Sequence, residues 1–266
     1  MHNLLPLVSI VIPFYNQNEI FLQECLLSAL LQTYPNIEVI ASDNHSNNGC
    51  DRVALELASY YAQLCIVRPK SHLSMCAHFS FAIAQSSGDY ITLLCSDDIF
   101  DLDHVSRLVN PLTMHEDISM ACSLPFQGFQ PNSARPKSNI TSGIYSSYDF
   151  AHLALISHVC SLGATIFRKD RFLAVGGLSA EYYYAFDVDL LFKLMFSGYV
   201  YFDSSPTAFI RLWDRADQRN RQKKHIIDII HIFDALLARK FPLNMYAALE
   251  IRLLNLLIIP LLKLVF

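Results

Sequence analysis

The chain has 266 residues and a formal net charge of −4, and 53% of its residues are hydrophobic while only 17% are charged. This length suits one large α/β domain with an appendage, or at most two small domains. The acidic balance argues against a nucleic-acid partner, and the high apolar content indicates a surface that is covered by a partner or a membrane.

The cysteines and the N-terminus bear on the cellular compartment. There are seven cysteines, an odd number, and no CxxC pair occurs, so neither a disulfide framework nor a zinc ribbon is predicted. A reducing cytoplasm is the expected compartment. No secretion signal is predicted, because Pro13 and Asn16 interrupt the apolar stretch at residues 4–15.

The first half of the chain alternates short β-branched runs with amphipathic segments. Strands are predicted over residues 8–13, 37–42, 64–67 and 90–95, and helices over residues 19–32, 51–63 and 72–86. This order predicts βαβ units with parallel strands and right-handed crossovers. Neither GxGxxG nor GxxxxGK[ST] occurs, so phosphate groups would have to be held in another way.

The second half continues the pattern with one long interruption. Strands are predicted over residues 118–123, 162–167, 199–202 and 208–211, and helices over residues 101–114, 148–157, 168–175, 189–197 and 224–239. Residues 127–142 are polar and aperiodic, which predicts a surface loop or lid. The pair Gly176 and Gly177 predicts a positive φ or a close backbone approach.

The C-terminal tail at residues 245–266 is nearly continuous apolar sequence, broken by Pro260 and Lys263. The run after Asn255 is shorter than the roughly 20 residues that a bilayer span needs. Two alternatives stay open, an interfacial helix that touches a membrane and a helix that packs on the domain.

Asp97 and Asp98 stand side by side where the fourth predicted strand leaves the sheet. In open α/β sheets, ligands bind at the carboxyl ends of the strands. Adjacent carboxylates repel each other unless a positive charge neutralises them, and a divalent metal that carries phosphate oxygens would do so. The alternative is that one of them caps the helix predicted from Asp101.

Six short motifs follow one another between residues 7 and 214. They are VSIVIPFYN, SALLQTYPNIEVIASDNHS, GDYITLLCSDD, SLGATIFRKDRFLAVGGLS, FDVDLLFKLMFSGYVYF and FIRLW. In this order and spacing, they resemble family 2 glycosyltransferases of the GT-A fold. The resemblance implies a GT-A type three-layer α/β/α sandwich with a mostly parallel central sheet over residues 1–214. Residues 215–266 would form an amphipathic helical C-terminal extension.

The resemblance also implies a binding site for the nucleotide part of a sugar donor. Pro13, Phe14 and Tyr15 would line the pocket for the base and ribose. Asp43 would accept a hydrogen bond from the ring N–H of uracil or thymine, which points to a UDP- or dTDP-sugar. The alternative for Asp43 is an Asx-turn within its own loop.

The remaining implied roles concern the diphosphate and the reaction. Asp97 would face the ribose or the sugar, and Asp98 would bind Mg²⁺ or Mn²⁺ bridging the two phosphates. Asp187 would be the general base, and Arg211 matches a basic residue near the diphosphate. The alternative for Asp187 is the N-cap of a helix that begins at Val188.

Several positions depart from the family pattern. His72 and His78 stand where asparagines are common, and Trp213 stands where a histidine is frequent. Cys95 stands where many members have the first Asp of the DXD motif, so metal coordination would depend chiefly on Asp98, phosphate oxygens and water. Phe186 replaces the first acid of the usual acidic pair before the base. The aromatic run at residues 182–184 precedes the proposed base, and either contacts the acceptor or packs its own rings.

The expected function is that of an inverting, metal-dependent glycosyltransferase of the hexosyltransferase type. It would transfer a sugar to a hydroxyl of a growing cell-surface polysaccharide or lipid-linked acceptor. The basic group at residues 211–224 and the apolar tail predict peripheral contact with the inner face of the cell membrane. The alternatives are an inactive sugar-nucleotide-binding scaffold and a sugar nucleotidyltransferase. A nucleotidyltransferase would need a Gly- and Lys-rich first loop, which this chain lacks.

Overall fold

The computed structural model of the protein describes residues 5–157, 159–212 and 218–237. The strands are β1 (Val8–Phe14), β2 (Ile37–Asp43), β3 (Leu64–Val67), β4 (Tyr90–Leu93), β5 (Ile99–Phe100), β6 (Ile118–Ser123), β7 (Phe126–Gly128), β8 (Gly143–Tyr145), β9 (Thr165–Arg168), β10 (Tyr199–Asp203) and β11 (Ala208–Arg211). The helices are α1 (Glu19–Leu30), α2 (Asp51–Ala58), α3 (Met75–Ala84), α4 (His104–Met114), α5 (Ser147–Ile156), α6 (Lys169–Ala174), α7 (Phe186–Met195) and α8 (Gln218–Leu237).

The central sheet contains eight strands within these ranges, in the order β3-β2-β1-β4-β9-β6-β10-β8. Strand β1 pairs in parallel with β2 and β4, β2 with β3, and β6 with β10. Strand β9 runs antiparallel to β4 and β6, and β8 runs antiparallel to β10. The sheet is therefore mixed but mostly parallel, as predicted.

The side chains of β1 alternate between two apolar cores, one on each face of the sheet, because a strand has a two-residue period. Ile10 and Ile12 pack in the core that also contains residues of α1, α2 and α4. Val11 packs in the other core, together with residues of α3, α5, α7 and α8. Helices thus cover both faces, which confirms the three-layer α/β/α sandwich.

A second, three-stranded sheet has the order β5-β11-β7. Strand β11 pairs antiparallel with β5 and in parallel with β7. Because β5 begins directly after Asp98 and β11 ends at Arg211, this sheet brings those two residues together. The loop predicted at residues 127–142 is wrong at its start, since Gln127 and Gly128 belong to β7. Three-residue strands such as β7 and β8 carry too little alternation to be predicted.

Two helix boundaries decide between the alternatives for the carboxylates. Helix α4 begins at His104 with Asp103 at its N-cap, so the idea that Asp97 or Asp98 caps this helix is wrong. Helix α7 begins at Phe186, three residues before the predicted start, and its N-cap is Ala185. Asp187 therefore lies inside the first turn and is not an N-cap.

Other segments differ less from expectation. The predicted strand at residues 162–167 begins as a 3-10 turn, Leu162–Ala164, and becomes β9 only at Thr165. Gly176 and Gly177 have φ values of +83° and +65°, as predicted for the end of α6. Helix α8 starts earlier than predicted, and the tail at residues 245–266 lies outside the described residues. Of the helices in the described ranges, none is long and apolar enough to cross a bilayer.

Candidate active site

Three parallel neighbours, β2, β1 and β4, end at the same edge of the central sheet. Phe14 and Asp43 are the last residues of β1 and β2, and they are partners in the parallel register. The chain then leaves β4 toward Asp97 and Asp98. Because adjacent parallel strands point the same way, their C-terminal loops converge on one crevice. The strand order thus places Phe14, Asp43 and the aspartate pair at one edge of the sheet.

Asp98 is held by the backbone of β11. Its residue is 3% exposed, and its Oδ1 accepts a hydrogen bond of 2.8 Å from the Arg211 backbone N–H. A Cβ added at Gly163 would lie 3.5 Å from Asp98 Oδ2, so this glycine leaves room beside the second carboxylate oxygen. The small sheet thus fixes Asp98 with a partner 113 positions away in the sequence.

The electrostatics of Asp98 favour a cation. Burial and the nearby charge of Asp97 raise the pKa of Asp98 from 3.8 to about 8, although the Arg211 N–H opposes the shift. A carboxylate of this kind is ionised cheaply only when a positive charge arrives, and carboxylate oxygens suit Mg²⁺ or Mn²⁺. Among the residues that the structure describes, no cluster of three or more His, Cys, Asp or Glu side chains could hold a metal. Phosphate oxygens and water would therefore have to complete the coordination.

The Arg211 guanidinium is engaged by protein groups. Nε donates to the Asp97 carbonyl oxygen at 2.9 Å, and Nη2 donates to Glu24 Oε2 at 2.8 Å. Its Cζ also lies 4.1 Å from the centroid of the Phe21 ring, and only 6% of the side chain is exposed. These contacts orient the loop that carries the two aspartates. A contact between Arg211 and a diphosphate stays a prediction.

Asp43 already has partners on both oxygens. Oδ1 accepts a hydrogen bond of 2.9 Å from the Ser46 N–H, and Oδ2 is paired with the Arg68 guanidinium, which also reaches Asp51 at 3.2 Å. The residue is 1% exposed. The Ser46 contact supports the local turn that was the alternative for Asp43, and its role toward a nucleotide base stays a prediction.

Sequence reasoning missed Arg68, the cation of this pair. It follows β3 directly, and a basic residue at the end of a predicted parallel strand was the available signal. Arg68 is half exposed, with 45% of its side chain accessible. It therefore contributes positive charge at the same edge as the aspartates.

The residues predicted to line the base pocket fall into two groups. Pro13 and Phe14 are buried within β1, and Phe14 is 2% exposed. Tyr15 follows the strand and is 47% exposed, with its ring edge-on to His72 at a centroid distance of 4.8 Å. Tyr15 is consequently the residue of the three with a free aromatic surface, and its neighbour His72 is one of the positions that depart from the family pattern.

Asp187 is a carboxylate without a complete set of partners. Its Oδ1 is buried and has no hydrogen-bond partner among the described residues. Burial raises the pKa of Asp187, and the charge of His225 in α8 lowers it. The 3-10 turn Leu162–Ala164 contacts both β4 and α7, and so connects the strand before Asp97 and Asp98 to the helix that carries Asp187.

The neighbours of Asp187 explain part of its environment. Phe186 is buried and packs edge-on against Phe79 at a centroid distance of 5.4 Å, so this departure from the family pattern fills the core. Of the aromatic run, Tyr182 is 7% exposed and Tyr183 is 56% exposed. Tyr183 lines a cavity of about 320 Å³ together with three residues of α8, Lys224, Ile227 and Asp228.

The sheet edge with its carboxylate pair, in an α/β/α sandwich, is the architecture that the motifs suggested. The family model for glycosyl transferase family 2 matches residues 9–175. The chain belongs to this family, which confirms the resemblance.

Curated relatives agree with this assignment. An uncharacterized glycosyltransferase of Rickettsia typhi is 28% identical over 206 residues, which cover 74% of this chain and 61% of the relative. The chain thus spans less than two thirds of that protein's length. The glycosyltransferase AglE of Haloferax volcanii is 35% identical over 99 residues, or 36% of this chain and 32% of AglE.

Solved structures confirm the GT-A fold. The mannosyltransferase PcManGT from Pyrobaculum calidifontis, in complex with GDP-Man and Mn²⁺, superposes with a TM-score of 0.71 at 16% identity, covering 95% of this chain and 70% of that one. S. aureus TarS in complex with UDP superposes with a TM-score of 0.64 at 15% identity, and the superposition covers 84% of this chain and 65% of TarS residues 1–349. At these identities, the likeness concerns the fold.

Proposed function

We propose that the chain is an inverting hexosyltransferase that uses a UDP- or dTDP-sugar. The observation that carries the proposal is the Asp187 carboxylate, whose buried Oδ1 lacks a partner and whose pKa is raised by burial. Such a group is suited to take a proton at neutral pH. It lies on the helix that the Leu162–Ala164 turn joins to the strand before Asp97 and Asp98.

The donor nucleotide would lie over the ends of β1 and β2. Tyr15 offers an exposed ring to the base or ribose, with Pro13 and Phe14 forming the buried floor. Asp43 would read a ring N–H of uracil or thymine. Because Ser46 and Arg68 already bind its oxygens, the base would share an oxygen with one of them or displace it.

The diphosphate would lie beside the carboxylate pair. Asp98 would hold Mg²⁺ or Mn²⁺, and the metal would stabilise the negative charge that develops on the leaving diphosphate as a Lewis acid. Asp97 would face the ribose or the sugar. Arg211 would keep the loop in place through its contacts with Asp97 and Asp98 and add positive charge near the phosphates.

The chemistry is a single in-line displacement. Asp187 takes the proton of the acceptor hydroxyl, and the oxygen attacks the anomeric carbon on the face opposite the diphosphate. The bond between the anomeric carbon and the phosphate oxygen breaks as the new glycosidic bond forms. One displacement inverts the anomeric configuration, so no covalent nucleophile is needed.

The acceptor we propose is a hydroxyl of a growing cell-surface glycan or a lipid-linked sugar. Such acceptors would be reached at the cytoplasmic face of the cell membrane, and the basic residues at positions 215–224 suit anionic lipid. We propose that residues 1–214 form the catalytic domain and that residues 215–266 form its C-terminal extension. Truncation before Met245 followed by membrane fractionation tests the tail, and unchanged membrane recovery would contradict an anchoring role.

The test of the whole proposal is a thermal-shift panel of UDP-, dTDP- and GDP-sugars with and without Mn²⁺. We expect a metal-dependent rise in the melting temperature with one UDP- or dTDP-sugar, because a ligand that binds only the folded state stabilises it. The anomeric configuration of the product, followed by NMR, tests inversion. A shift with no turnover by any acceptor would instead favour the inactive sugar-nucleotide-binding scaffold.

A further inference from the structure

Helix α8 packs its apolar side onto the core beside α7. Ile229, Ile232, Phe233 and Leu236 are buried in the same core cluster as the residues of α7, and Phe233 lies edge-on to Phe192 with ring centroids 6.0 Å apart. This helix lies beyond the matched family region, which ends at residue 175. The apolar packing fixes where the polar residues of α8 fall relative to the start of α7.

Two polar residues of α8 bind the backbone that leads into α7. Asp228 Oδ2 accepts hydrogen bonds from the Tyr184 N–H at 2.7 Å and from the Ala185 N–H at 3.3 Å. The Nδ1 atom of His225 lies 3.2 Å from the Tyr184 carbonyl oxygen. Because residues three apart share one face of a helix, the two side chains reach both polar groups of Tyr184.

These contacts supply what the local sequence lacks. The N-cap residue of α7 is Ala185, which offers no side-chain cap. The first N–H groups of a helix have no partner within the helix, and a carboxylate there also interacts favourably with the helix dipole. Asp228 therefore anchors, from another helix, the backbone of Tyr184 and Ala185 directly before the first turn of α7, although Ala185 lies 43 positions away in sequence.

We propose that Asp228, assisted by His225, is a positioning residue for the general base Asp187. The inference rests on the proposed function of Asp187. Oδ1 of Asp187 has no hydrogen-bond partner in the described structure, and the hydrogen bonds that act on the carboxylate come from the backbone of Asp187 and Val188 in the first turn of α7. The direction of the carboxylate therefore depends on where that turn is held. The carboxylate of Asp228 holds that turn two residues before Asp187.

The experiment compares Asp228→Ala, Asp228→Asn and the control Asp234→Ala. Asp234 lies on the same helix and is exposed, so its loss removes the same charge without touching α7. The activity measured is release of nucleoside diphosphate from the nucleotide sugar that stabilises the wild-type protein, with water as acceptor. This assay needs no knowledge of the natural acceptor.

We expect Asp228→Ala to lower kcat about 10- to 100-fold, because small displacements of a catalytic group have effects of this size. The KM and Kd for the donor should stay within about twofold of the wild type. Asp228→Asn should restore most of kcat, since its amide oxygen accepts the same hydrogen bonds, and Asp234→Ala should match the wild type.

Three outcomes would overturn the inference. The first is a wild-type kcat in Asp228→Ala. The second is a loss of kcat in Asp228→Asn as large as in Asp228→Ala. The third is a loss of donor affinity in Asp228→Ala that accompanies the loss of kcat. If Asp228→Ala does not fold, His225→Ala takes its place and kcat is measured across pH, because the charge of His225 also lowers the pKa of Asp187. We expect a loss of kcat of about 3- to 10-fold at the pH optimum and at unchanged KM, and a wild-type kcat at the optimum would contradict the role. A wild-type protein that neither binds nor cleaves any nucleotide sugar would instead refute the proposed function, and this inference with it.

Discussion

Replacing Asp98 by Asn should stabilise the metal-free protein while it abolishes sugar transfer. In the folded protein, burial and the charge of Asp97 raise the pKa of Asp98 from 3.8 to about 8. A carboxyl group whose pKa is raised by folding contributes stability at low pH, and that contribution is lost as the pH rises from about 4 to about 8. At pH 7.5 the metal-free protein therefore carries an electrostatic cost at this position.

The size of the cost follows from linkage. A shift from 3.8 to about 8 corresponds to about 5 kcal/mol at pH 7.5, which is an upper bound. Asn keeps an oxygen that can accept the Arg211 N–H and removes the charge. We expect a gain in the free energy of unfolding of about 2 kcal/mol or more, equivalent to a rise in Tm of about 4 to 8 °C for a domain of this size.

The assay is thermal unfolding of both proteins after treatment with EDTA, at pH 5 and at pH 7.5. The difference in stability between Asp98→Asn and the wild type should grow from the lower to the higher pH. Adding Mn²⁺ with the nucleotide sugar should stabilise the wild type and leave Asp98→Asn almost unchanged. An Asp98→Asn protein that is less stable than the metal-free wild type at pH 7.5 would refute the reasoning.

Further predictions concern the base, a buried histidine and a glycine with a positive φ. Asp187→Asn should lower transfer at least 100-fold while the donor still binds, because general-base catalysis contributes about 10²- to 10⁴-fold; turnover at the wild-type rate would remove Asp187 from the mechanism. His104 is fully buried, and burial lowers its pKa from 6.5 to about 3. As the pH falls from 7.5 to 5, the imidazole takes up a proton in the unfolded state and stays neutral in the folded state. The free energy of unfolding should therefore fall by about 2 kcal/mol over this range because of His104. Denaturant titrations in the Asp98→Asn background measure this loss, and His104→Gln should reduce the pH dependence. Gly177→Ala should cost about 1 to 3 kcal/mol in the same titrations, because its φ is +65° and the new Cβ would lie 3.1 Å from a buried phenyl ring. Gly143→Ala, where nothing lies within 4 Å of the new Cβ, is the matched control and should have a small effect.

The sequence predicted the parallel half of the sheet well because the signals there are local. The predicted strands at residues 64–67 and 118–123 coincide with β3 and β6. Short β-branched runs that alternate with helical periods indicate βαβ units whichever way the rest of the chain folds. Because the carboxyl ends of parallel strands meet at one edge, the order of the motifs also placed Asp43 and the Asp97–Asp98 pair together.

The contacts that hold the site could not be predicted in this way. Strand β5 has two residues, too few for a periodic pattern, yet its pairing with β11 brings Arg211 to Asp98. The pairing of Arg68 with Asp43 likewise depends on the placement of β3 beside β2. Hydrogen bonds between residues so far apart in sequence leave no local pattern, because they arise only when the strands are already packed.

By itself, the sequence determined the family, the parallel βαβ units of the first half and the acidic residues that follow their strands. These follow from the spacing of apolar residues and from the chemistry of adjacent carboxylates. Only the tertiary structure decided that Asp187 lies within the first turn of α7, and that Asp228 of α8 binds the backbone directly before that helix. The physical reason is that a helix start with no capping side chain of its own depends on a partner brought by folding.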